Sequence, residues 1–384
     1  MIEPRDVPSP DAGAGQTEDA DGRRTLAWRA LLAWYAAEGR ASLPWRHTRD
    51  PYAVLVSEVM LQQTQVDRVL PKYRAFLDQF PTLDDLAAAP VADVIRAWAG
   101  LGYNMRAIRL HEIARQAVER YGGTLPGSLD KLLELKGIGR YTAGAVACFA
   151  FGLPVATVDT NIRRVLWRVF RGVEPYVWPA DTAFQRQMLA LAEWALPPDG
   201  AYDWQQALMD LGATVCLARR PLCERCPLAA NCAAYQEAAR VSLFPSGEAV
   251  ARLRDERAAL DASHDASRDA SHTRETGDEA APSARKVAER RAGYAAQTPR
   301  ASRAPAQPFT TTSRYFRGRV VATLREMPSS ATLSLAELGP RLKPEYTAAE
   351  YPWLRALVER LARDGLVRLT GNLEDASAAH VALP

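Results

Sequence analysis

The sequence has 384 residues, of which 48% are hydrophobic and 24% charged, and its formal net charge is +3. A chain of this length is expected to form two or three domains, and its hydrophobic content excludes a wholly disordered protein. No segment approaches the ~18–20 uncharged apolar residues of a membrane span, and the polar N-terminus does not resemble a secretory signal. The sequence therefore predicts a cytoplasmic protein that does not enter a membrane, and the charge leaves the partner class open.

The first 235 residues divide into a tail and a helical domain. Residues 1–24 are acidic and rich in Pro, Gly and Ala, so we expect them to be disordered. From residue 25 to about 235, apolar residues recur at spacings of three and four, and Gly or Pro punctuates nearly every gap. Within this domain, residues 51–80 predict two helices broken near Pro71. Strand patterns are scarce, and the sequence predicts an all-α domain over 25–235.

The composition changes twice after this domain. Residues 236–306 contain no tryptophan and include the near-repeat DASHDASRDASH, which has no apolar face to bury. This composition predicts a disordered linker. Residues 307–384 then show three helical patterns followed by one strand-like segment. This order of elements predicts a small winged-helix-like module.

Four of the five cysteines cluster near the end of the helical domain. They follow the spacing C-x6-C-x2-C-x5-C and are Cys216, Cys223, Cys226 and Cys232. In a cytoplasmic chain this crowding is typical of a metal site rather than of disulfides, and the soft thiolates suit zinc or an iron–sulfur cluster. Zinc ribbons usually have two CxxC pairs and this sequence has one, so a loop around a single [4Fe–4S] cluster is favoured. Cys148 stands in an apolar run and is predicted to be a core residue.

A glycine-containing turn lies between two helical patterns in LKGIGRYTAG, residues 135–144. Gly137 and Gly139 permit a tight turn and a close approach of the backbone to a ligand. The helix after Arg140 would present free N–H groups to an anion. Such a hairpin can hold DNA phosphates without reading bases, although a plain connection between helices is the alternative.

Two carboxylates are candidates for acid–base chemistry. Glu58 is the one acid in PYAVLVSEVMLQQTQ, residues 51–65. A desolvated carboxyl in such a helix would have a raised pKa and could carry a proton at neutral pH, whereas on an exposed face it would be unremarkable. Asp159 precedes a helical pattern, where capping the helix is the structural role.

These features together resemble the endonuclease III superfamily of DNA glycosylases, and the segment SEVMLQQTQV closely resembles the adenine DNA glycosylase (MutY) family. The resemblance covers about residues 25–235. It implies an all-α, two-lobed helix-hairpin-helix fold with a [4Fe–4S] cluster held by the four clustered cysteines. It also implies a monomer, associated with the nucleoid, whose partner is double-stranded DNA with a mismatched or oxidised base pair.

The same resemblance implies roles for individual residues. Glu58 would be the catalytic acid and Asp159 the carboxylate shared across the superfamily, with Tyr141 and Asn161 beside the sugar. Bifunctional relatives carry Lys where this chain has Tyr141, so the resemblance implies a monofunctional enzyme that excises adenine opposite 8-oxoguanine or guanine. The remaining DNA or substrate contacts that it implies are Arg46, Gln63, Tyr103, Gly137, Gly139 and Arg140.

Three features depart from the adenine glycosylase pattern. Thr160 follows Asp159 where Gly is usual, and Asn104 follows Tyr103 where a second Tyr is common. Residues 308–384 do not resemble the Nudix-like domain that recognises 8-oxoguanine in this family. A mismatch thymine or uracil glycosylase, and a non-catalytic iron–sulfur DNA-binding protein, stay open as alternatives. Four arginines of the C-terminal module either contact DNA or form a solvated helix face; they are Arg314, Arg317, Arg319 and Arg325.

Overall fold

The computed structural model describes residues 14–175, 177–241, 246–255, 309–329 and 331–384. They belong to two compact units, one formed by residues 1–39 with 156–306 and the other by residues 40–155 with 307–384. Each unit is therefore assembled from two separate stretches of the chain. The described residues are mostly helical, as the sequence predicts.

The α-helices are numbered in chain order. They are α1 (Ala14–Glu38), α2 (Pro51–Leu61), α3 (Val66–Gln79), α4 (Leu83–Ala88), α5 (Val91–Ala97), α6 (Met105–Tyr121), α7 (Leu129–Leu133), α8 (Arg140–Phe149), α9 (Thr160–Phe170), α10 (Thr182–Trp194), α11 (Ala201–Thr214), α12 (Ala233–Val241), α13 (Ser313–Arg325), α14 (Leu335–Leu342) and α15 (Tyr351–Arg363). Short 3-10 helices span Pro44–Arg46, Cys223–Arg225, Ala229–Asn231, Phe309–Thr311 and Ala348–Glu350. The strands are β1 (Leu333–Ser334), β2 (Arg368–Thr370) and β3 (His380–Ala382).

Helix α2 is the central helix of the unit formed by residues 40–155 and 307–384. Its residues Tyr52 to Met60 are all buried, and it packs against α3, α6 and α8. Asp50 caps its first turn by accepting from the amides of Tyr52 and Ala53, at 3.1 and 3.2 Å. An uninterrupted apolar helix with a polar cap is stable only when neighbours cover it on every side.

The break after α2 does not lie at Pro71. Pro71 is inside α3, and the chain breaks between Leu61 and Val66 instead. Gln63, in that break, has a positive φ of 55°. A residue in the left-handed region cannot continue an α-helix, so backbone geometry rather than proline ends α2.

The other unit has α9 at its centre. This helix packs against α10, α11 and α12, and α1 packs against α11. Gly212 of α11 lies directly against α9, because a Cβ there would stand 2.6 Å from Asn161 Cβ. The absence of a side chain at Gly212 therefore sets how closely α11 approaches the start of α9.

Helical structure extends beyond both predicted boundaries of the helical domain, residues 25 and 235. Helix α1 begins at Ala14, inside the expected tail, and Arg23 and Arg24 donate to the carbonyls of Val169 and Trp194 at 3.1 and 2.8 Å. At the other end, residues 247–255 are helical, and buried Val250 joins a small core with Ala234 and Ala238. The rest of the expected linker, residues 242–245 and 256–306, lies outside the described residues.

The C-terminal module, residues 307–384, contains a three-stranded antiparallel sheet with the order β1-β3-β2. With α13, α14 and α15 it forms a winged-helix-like unit, as predicted, but with three strands instead of one. Strands of two or three residues are too short to show an alternating pattern, which explains why the sequence did not reveal the others. No helix among the described ranges is long and apolar enough to cross a bilayer.

Candidate functional site

Glu58 lies in the buried helix α2, where its residue is only 6% exposed. It is flanked by Ser57 and Val59, which are also buried. The hydroxyl of Ser57 donates a hydrogen bond to Val54 O at 2.8 Å, within α2. The desolvation expected from the sequence is therefore present at Glu58, and the carboxyl lies in an otherwise uncharged helix.

Gln63 and Tyr103 share an unusual backbone conformation. Their φ angles are 55° and 46°, and within the described ranges no other non-glycine residue has a positive φ. Both side chains are exposed, and Tyr103 presents 44% of its surface. Left-handed backbone costs a non-glycine residue of order 1–3 kcal/mol, so the surrounding structure must hold these two loops in place.

The buried guanidinium of Arg106 holds both loops. One terminal nitrogen donates to the carbonyls of Val59, Met60 and Gln62 at 2.9, 2.8 and 2.6 Å. The other donates to Thr64 Oγ1 and to the carbonyls of Leu101 and Gly102, at 3.0, 3.1 and 3.2 Å. Burial lowers the pKa of Arg106 to about 10. Arg106 thus ties the loop of Gln63 to the loop of Tyr103 and caps the last turn of α2.

The glycine turn between α7 and α8 borders a cleft of about 410 Å³. Gly137, at φ 107°, and Gly139, the N-cap of α8, both line it, together with Gln62 and Arg109. Side-chain substitution at Gly137 would be strained by its φ angle. The two hairpin glycines and Arg109 therefore border one open space of a size suited to a polar ligand.

The other residues predicted in this unit lie close to the ends of short helices. Arg140 and Tyr141 are the first two residues of α8, where Arg140 is exposed and Tyr141 half-buried. Arg46 ends the 3-10 helix that begins at Pro44. The adjacent Trp45 is buried, with its ring edge-on to Tyr73 at 5.4 Å, and it anchors the segment that carries Arg46.

Asp159 is the N-cap of α9, the structural role expected from its position. Its Oδ1 accepts from the Ile162 amide at 2.6 Å and its Oδ2 from Asn161 Nδ2 at 3.2 Å. Burial raises the pKa of Asp159, against the opposing effect of these hydrogen bonds and of the Arg164 charge. The structure thus brings the predicted pair Asp159 and Asn161 into direct contact.

Arg164 connects this pair to the first cysteine. It donates through Nη2 to Asn161 Oδ1 at 2.9 Å and to Gly212 O at 2.6 Å, and through Nε to Cys216 O at 2.7 Å. A continuous hydrogen-bonded path therefore runs from the carboxylate of Asp159 to the backbone of Cys216. The path links the start of the cysteine loop to the start of α9.

The four clustered cysteines line one cavity, whose other walls are mainly apolar and include Val165, Leu211 and Val250. Arg168 is only 2% exposed; it donates through Nη1 to Cys216 Sγ at 3.4 Å and through Nε to Glu174. In the part of the chain that the structure describes, no group of three or more His, Cys, Asp or Glu is arranged for a single metal ion.

The chemistry of this donor set fits a group that carries positive charge. Burial raises the pKa of Cys223 to about 11 and that of Cys232 to about 12. A metal-containing group would offset this by binding thiolates, and the Arg168 guanidinium beside Cys216 adds further positive charge. The four sulfur donors and the dry walls suit an iron–sulfur cluster. Cys148 is fully buried in α8, as expected of a core residue.

Three arginines that organise the site are absent from the sequence-based predictions: Arg106, Arg164 and Arg168. Arg164 belongs to the segment that begins at Asp159, so its place one turn into α9 offered some signal. Arg106 and Arg168 offered little, because most of the residues that each one binds lie more than forty positions away in sequence.

Comparison with known proteins identifies a family match and several relatives of this chain. The profile of the family described as "HhH-GPD superfamily base excision DNA repair protein" matches residues 56–175. The human adenine DNA glycosylase is 45% identical over 228 residues, 57% of this chain and 41% of that protein. The adenine DNA glycosylase of Mycobacterium tuberculosis (strain CDC 1551 / Oshkosh) is 44% identical over 209 residues, 54% of this chain and 67% of that protein.

A solved structure of a thermostable thymine-DNA glycosylase is 32% identical, with a TM-score of 0.51, and the match covers 57% of this chain and 99% of that one. The helical fold, the hairpin and the matched residues define a base-excision-repair domain of the helix-hairpin-helix class. The chain belongs to the adenine DNA glycosylase family of the HhH-GPD superfamily. It spans less than half the length of the human relative.

Proposed function

We propose that the protein is a monofunctional adenine DNA glycosylase that hydrolyses the N-glycosidic bond of adenine mispaired with 8-oxoguanine or guanine. The observation that carries the proposal is Glu58, a single carboxyl 6% exposed inside an otherwise uncharged helix. A desolvated carboxyl resists ionisation and is suited to donate a proton at neutral pH. The names of the relatives supply the substrate.

The adenine would first leave the base stack and enter a pocket of the protein. Glu58 then protonates the departing base, at N7 of the adenine, which turns the base into a better leaving group. As the bond stretches, the sugar acquires oxocarbenium character, as in glycoside hydrolysis. A water molecule completes the substitution and leaves an abasic site.

Asp159 stabilises the sugar cation or captures it covalently, and it must be ionised to do either. Its hydrogen bonds from Ile162 N and Asn161 Nδ2 favour the carboxylate and fix its orientation, so Asn161 acts as a positioning residue. Tyr141 occupies the position where bifunctional relatives have a nucleophilic Lys. A phenol cannot form a Schiff base with C1′, and the enzyme would therefore leave the strand uncut.

Duplex DNA would be held by two features of the unit that contains α2. The amides at Gly137 and Gly139, with Arg140, bind phosphates and contribute no base reading. The exposed, conformationally fixed Gln63 and Tyr103 enter the helix near the base opposite the adenine. Arg46 would contact the substrate from the segment anchored by Trp45.

A [4Fe–4S] cluster would be held by Cys216, Cys223, Cys226 and Cys232. When bound, it supplies a structural crosslink that closes the loop. Arg168 supports this loop by bonding to the carbonyls of Leu217 and Ala218, at 2.8 and 3.0 Å. Through Arg164 the same loop helps to keep Asn161 in place.

The test is a set of duplexes that each contain one A:8-oxoG, A:G, T:G or U:G pair, incubated with the purified protein and developed with and without alkali. We expect adenine excision, with strand breaks only after alkali. The variant Glu58→Gln should bind the A:8-oxoG duplex but lose most of its excision rate. Excision of T:G as fast as of A:8-oxoG would overturn the adenine assignment.

A thymine or uracil glycosylase is the second candidate. Two observations favour it: the structural match to a thymine-DNA glycosylase, and the Asp159-Thr160 sequence. The T:G and U:G duplexes of the same experiment decide between the two.

A further inference from the structure

The C-terminal module packs directly on α5 and α6. Its core includes Ala92 and Ile95 of α5, and Met105 and Ile108 of α6 pack against that core. Arg96 of α5 donates to the carbonyl of Met327 at 3.4 Å, at the end of α13. A shared apolar core with a polar contact at its edge makes the module an integral part of this unit, in spite of the long intervening chain.

The module also contacts the loop that presents Tyr103. Arg325, the last residue of α13, donates to Asn104 Oδ1 at 2.8 Å, and burial lowers the pKa of Arg325 to about 10. Asn104 is the position where the family commonly has a second Tyr. In this chain Asn104 has a structural role, because its amide oxygen accepts a hydrogen bond from Arg325 of the C-terminal module.

The four arginines of α13 therefore differ in what they can do. Arg317 forms an ion pair with Asp364 at 2.5 Å, and Arg319 donates to Arg341 O at 2.6 Å. With Arg325 bonded to Asn104, three of the four are engaged within the protein. Arg314 is exposed, and its guanidinium carbon lies 4.5 Å from the centre of the Tyr103 ring.

We propose that Arg314 is a DNA-contacting residue which binds a backbone phosphate next to the point where Tyr103 enters the duplex, and that the Arg325–Asn104 bond positions it there. The proposal rests on the proposed function only in that Tyr103 inserts into DNA. Bases that stack on the inserted ring compete with the Arg314 guanidinium for the ring surface, so insertion displaces Arg314. The nearest anions are then the phosphates that flank the inserted step, and arginine binds phosphate strongly.

The test measures binding to a labelled duplex that contains a non-cleavable 2′-fluoro-adenosine opposite 8-oxoguanine, at several salt concentrations, with the full chain. Arg314→Ala should weaken binding about tenfold. The slope of log K against log salt should fall by about one, and the loss should be similar for the A:G duplex, into which Tyr103 also inserts. Arg314→Lys should keep the salt slope. Arg319→Ala, on the same helix, is the matched control and should change neither quantity.

A loss confined to the 8-oxoguanine duplex would overturn the phosphate assignment in favour of base reading. An equal loss in Arg319→Ala would show a general charge effect and overturn the proposal. Because binding is measured without excision, absence of adenine excision by the wild-type protein would defeat the proposed function and leave this result intact.

The positioning role of the Arg325–Asn104 bond is tested by a double-mutant cycle. Asn104→Ala removes the acceptor and leaves α13 unchanged in sequence. If the bond positions Arg314, then Arg314→Ala should cost clearly less than tenfold in the Asn104→Ala background, because the contact is already weakened. Full additivity of the two changes in binding would overturn the positioning role.

Discussion

Replacement of Arg106 by Met should destabilise the protein and release the two loops that carry Gln63 and Tyr103. The side chain of Met is apolar and of comparable length, so it fills much of the space and removes every donor. Three of the lost bonds involve buried carbonyls, those of Val59, Met60 and Leu101. Two of these carbonyls belong to the last turn of α2, where no amide of the helix itself can satisfy them.

The size of the effect follows from two opposing contributions. Leaving three buried carbonyls without a donor costs about 3–9 kcal/mol in the free energy of unfolding. Removing a charge whose pKa burial has lowered from 12.5 to about 10 returns about 3 kcal/mol at ~1.36 kcal/mol per unit. The net loss is about 0–6 kcal/mol, and its midpoint of about 3 kcal/mol corresponds to a fall in Tm of about 10 °C for a domain of this size.

Two assays check this prediction. Thermal unfolding gives the loss of stability, with Arg115→Met, an exposed arginine on the same helix, as the matched control. Fluorescence of 2-aminopurine placed beside the mismatch reports insertion of Tyr103, and it should be weak in Arg106→Met even below the Tm. A variant with unchanged Tm and a normal fluorescence response would refute the role assigned to Arg106.

Three further predictions concern the unit that carries the cysteines, and one of them uses a control variant in helix α13 of the C-terminal module. Gly212→Ala should lower stability by about 1–3 kcal/mol and the single-turnover excision rate, because its Cβ would collide with α9, whereas Gly318→Ala meets nothing within 4 Å and should be neutral or stabilising in thermal unfolding. The excision rate should fall with decreasing pH through a value above the usual pKa of aspartate, since burial raises the pKa of Asp159 and its proposed role requires the ionised form; an acidic limb at or below the ordinary aspartate pKa would contradict this. Arg168→Met should cost about 3–5 kcal/mol by leaving the buried Glu174 with only the 4.0 Å ion pair to Arg254, and should reduce visible absorbance from the proposed cluster; the double variant with Glu174→Met should recover much of the stability if the buried pair is the cause.

Residues whose role depends on local chemistry were predictable from the sequence. Glu58 stands out because every neighbour along its helix is uncharged, and burial of that helix follows from the same apolar run. Asp159 could be placed as an N-cap because capping needs only the residue and the helix that follows it. Gly137 was identifiable because a glycine between two helical patterns indicates a tight turn, and its φ of 107° is one that glycine adopts readily.

Residues that act across long sequence separations were not predictable. Arg106 and Arg168 look like ordinary charged residues of amphipathic helices, and only the packing of distant segments buries them among carbonyls and a thiol. The same holds for Arg325, whose partner Asn104 lies 221 positions earlier in the chain. A charged side chain is buried and hydrogen-bonded to distant segments only when tertiary contacts remove water from it, and no local sequence pattern encodes those contacts.

The sequence by itself determined the helical class, the candidate acids, the hairpin glycines and the cysteine spacing, because each depends on a periodicity or a spacing within one short segment. The tertiary structure decided where the domain begins and ends, why α2 stops before Pro71, and that the C-terminal module belongs with α5 and α6. These outcomes depend on which distant surfaces pack together. Burial energy is gained only when both surfaces are present, so the chain segment that carries one of them does not disclose the result.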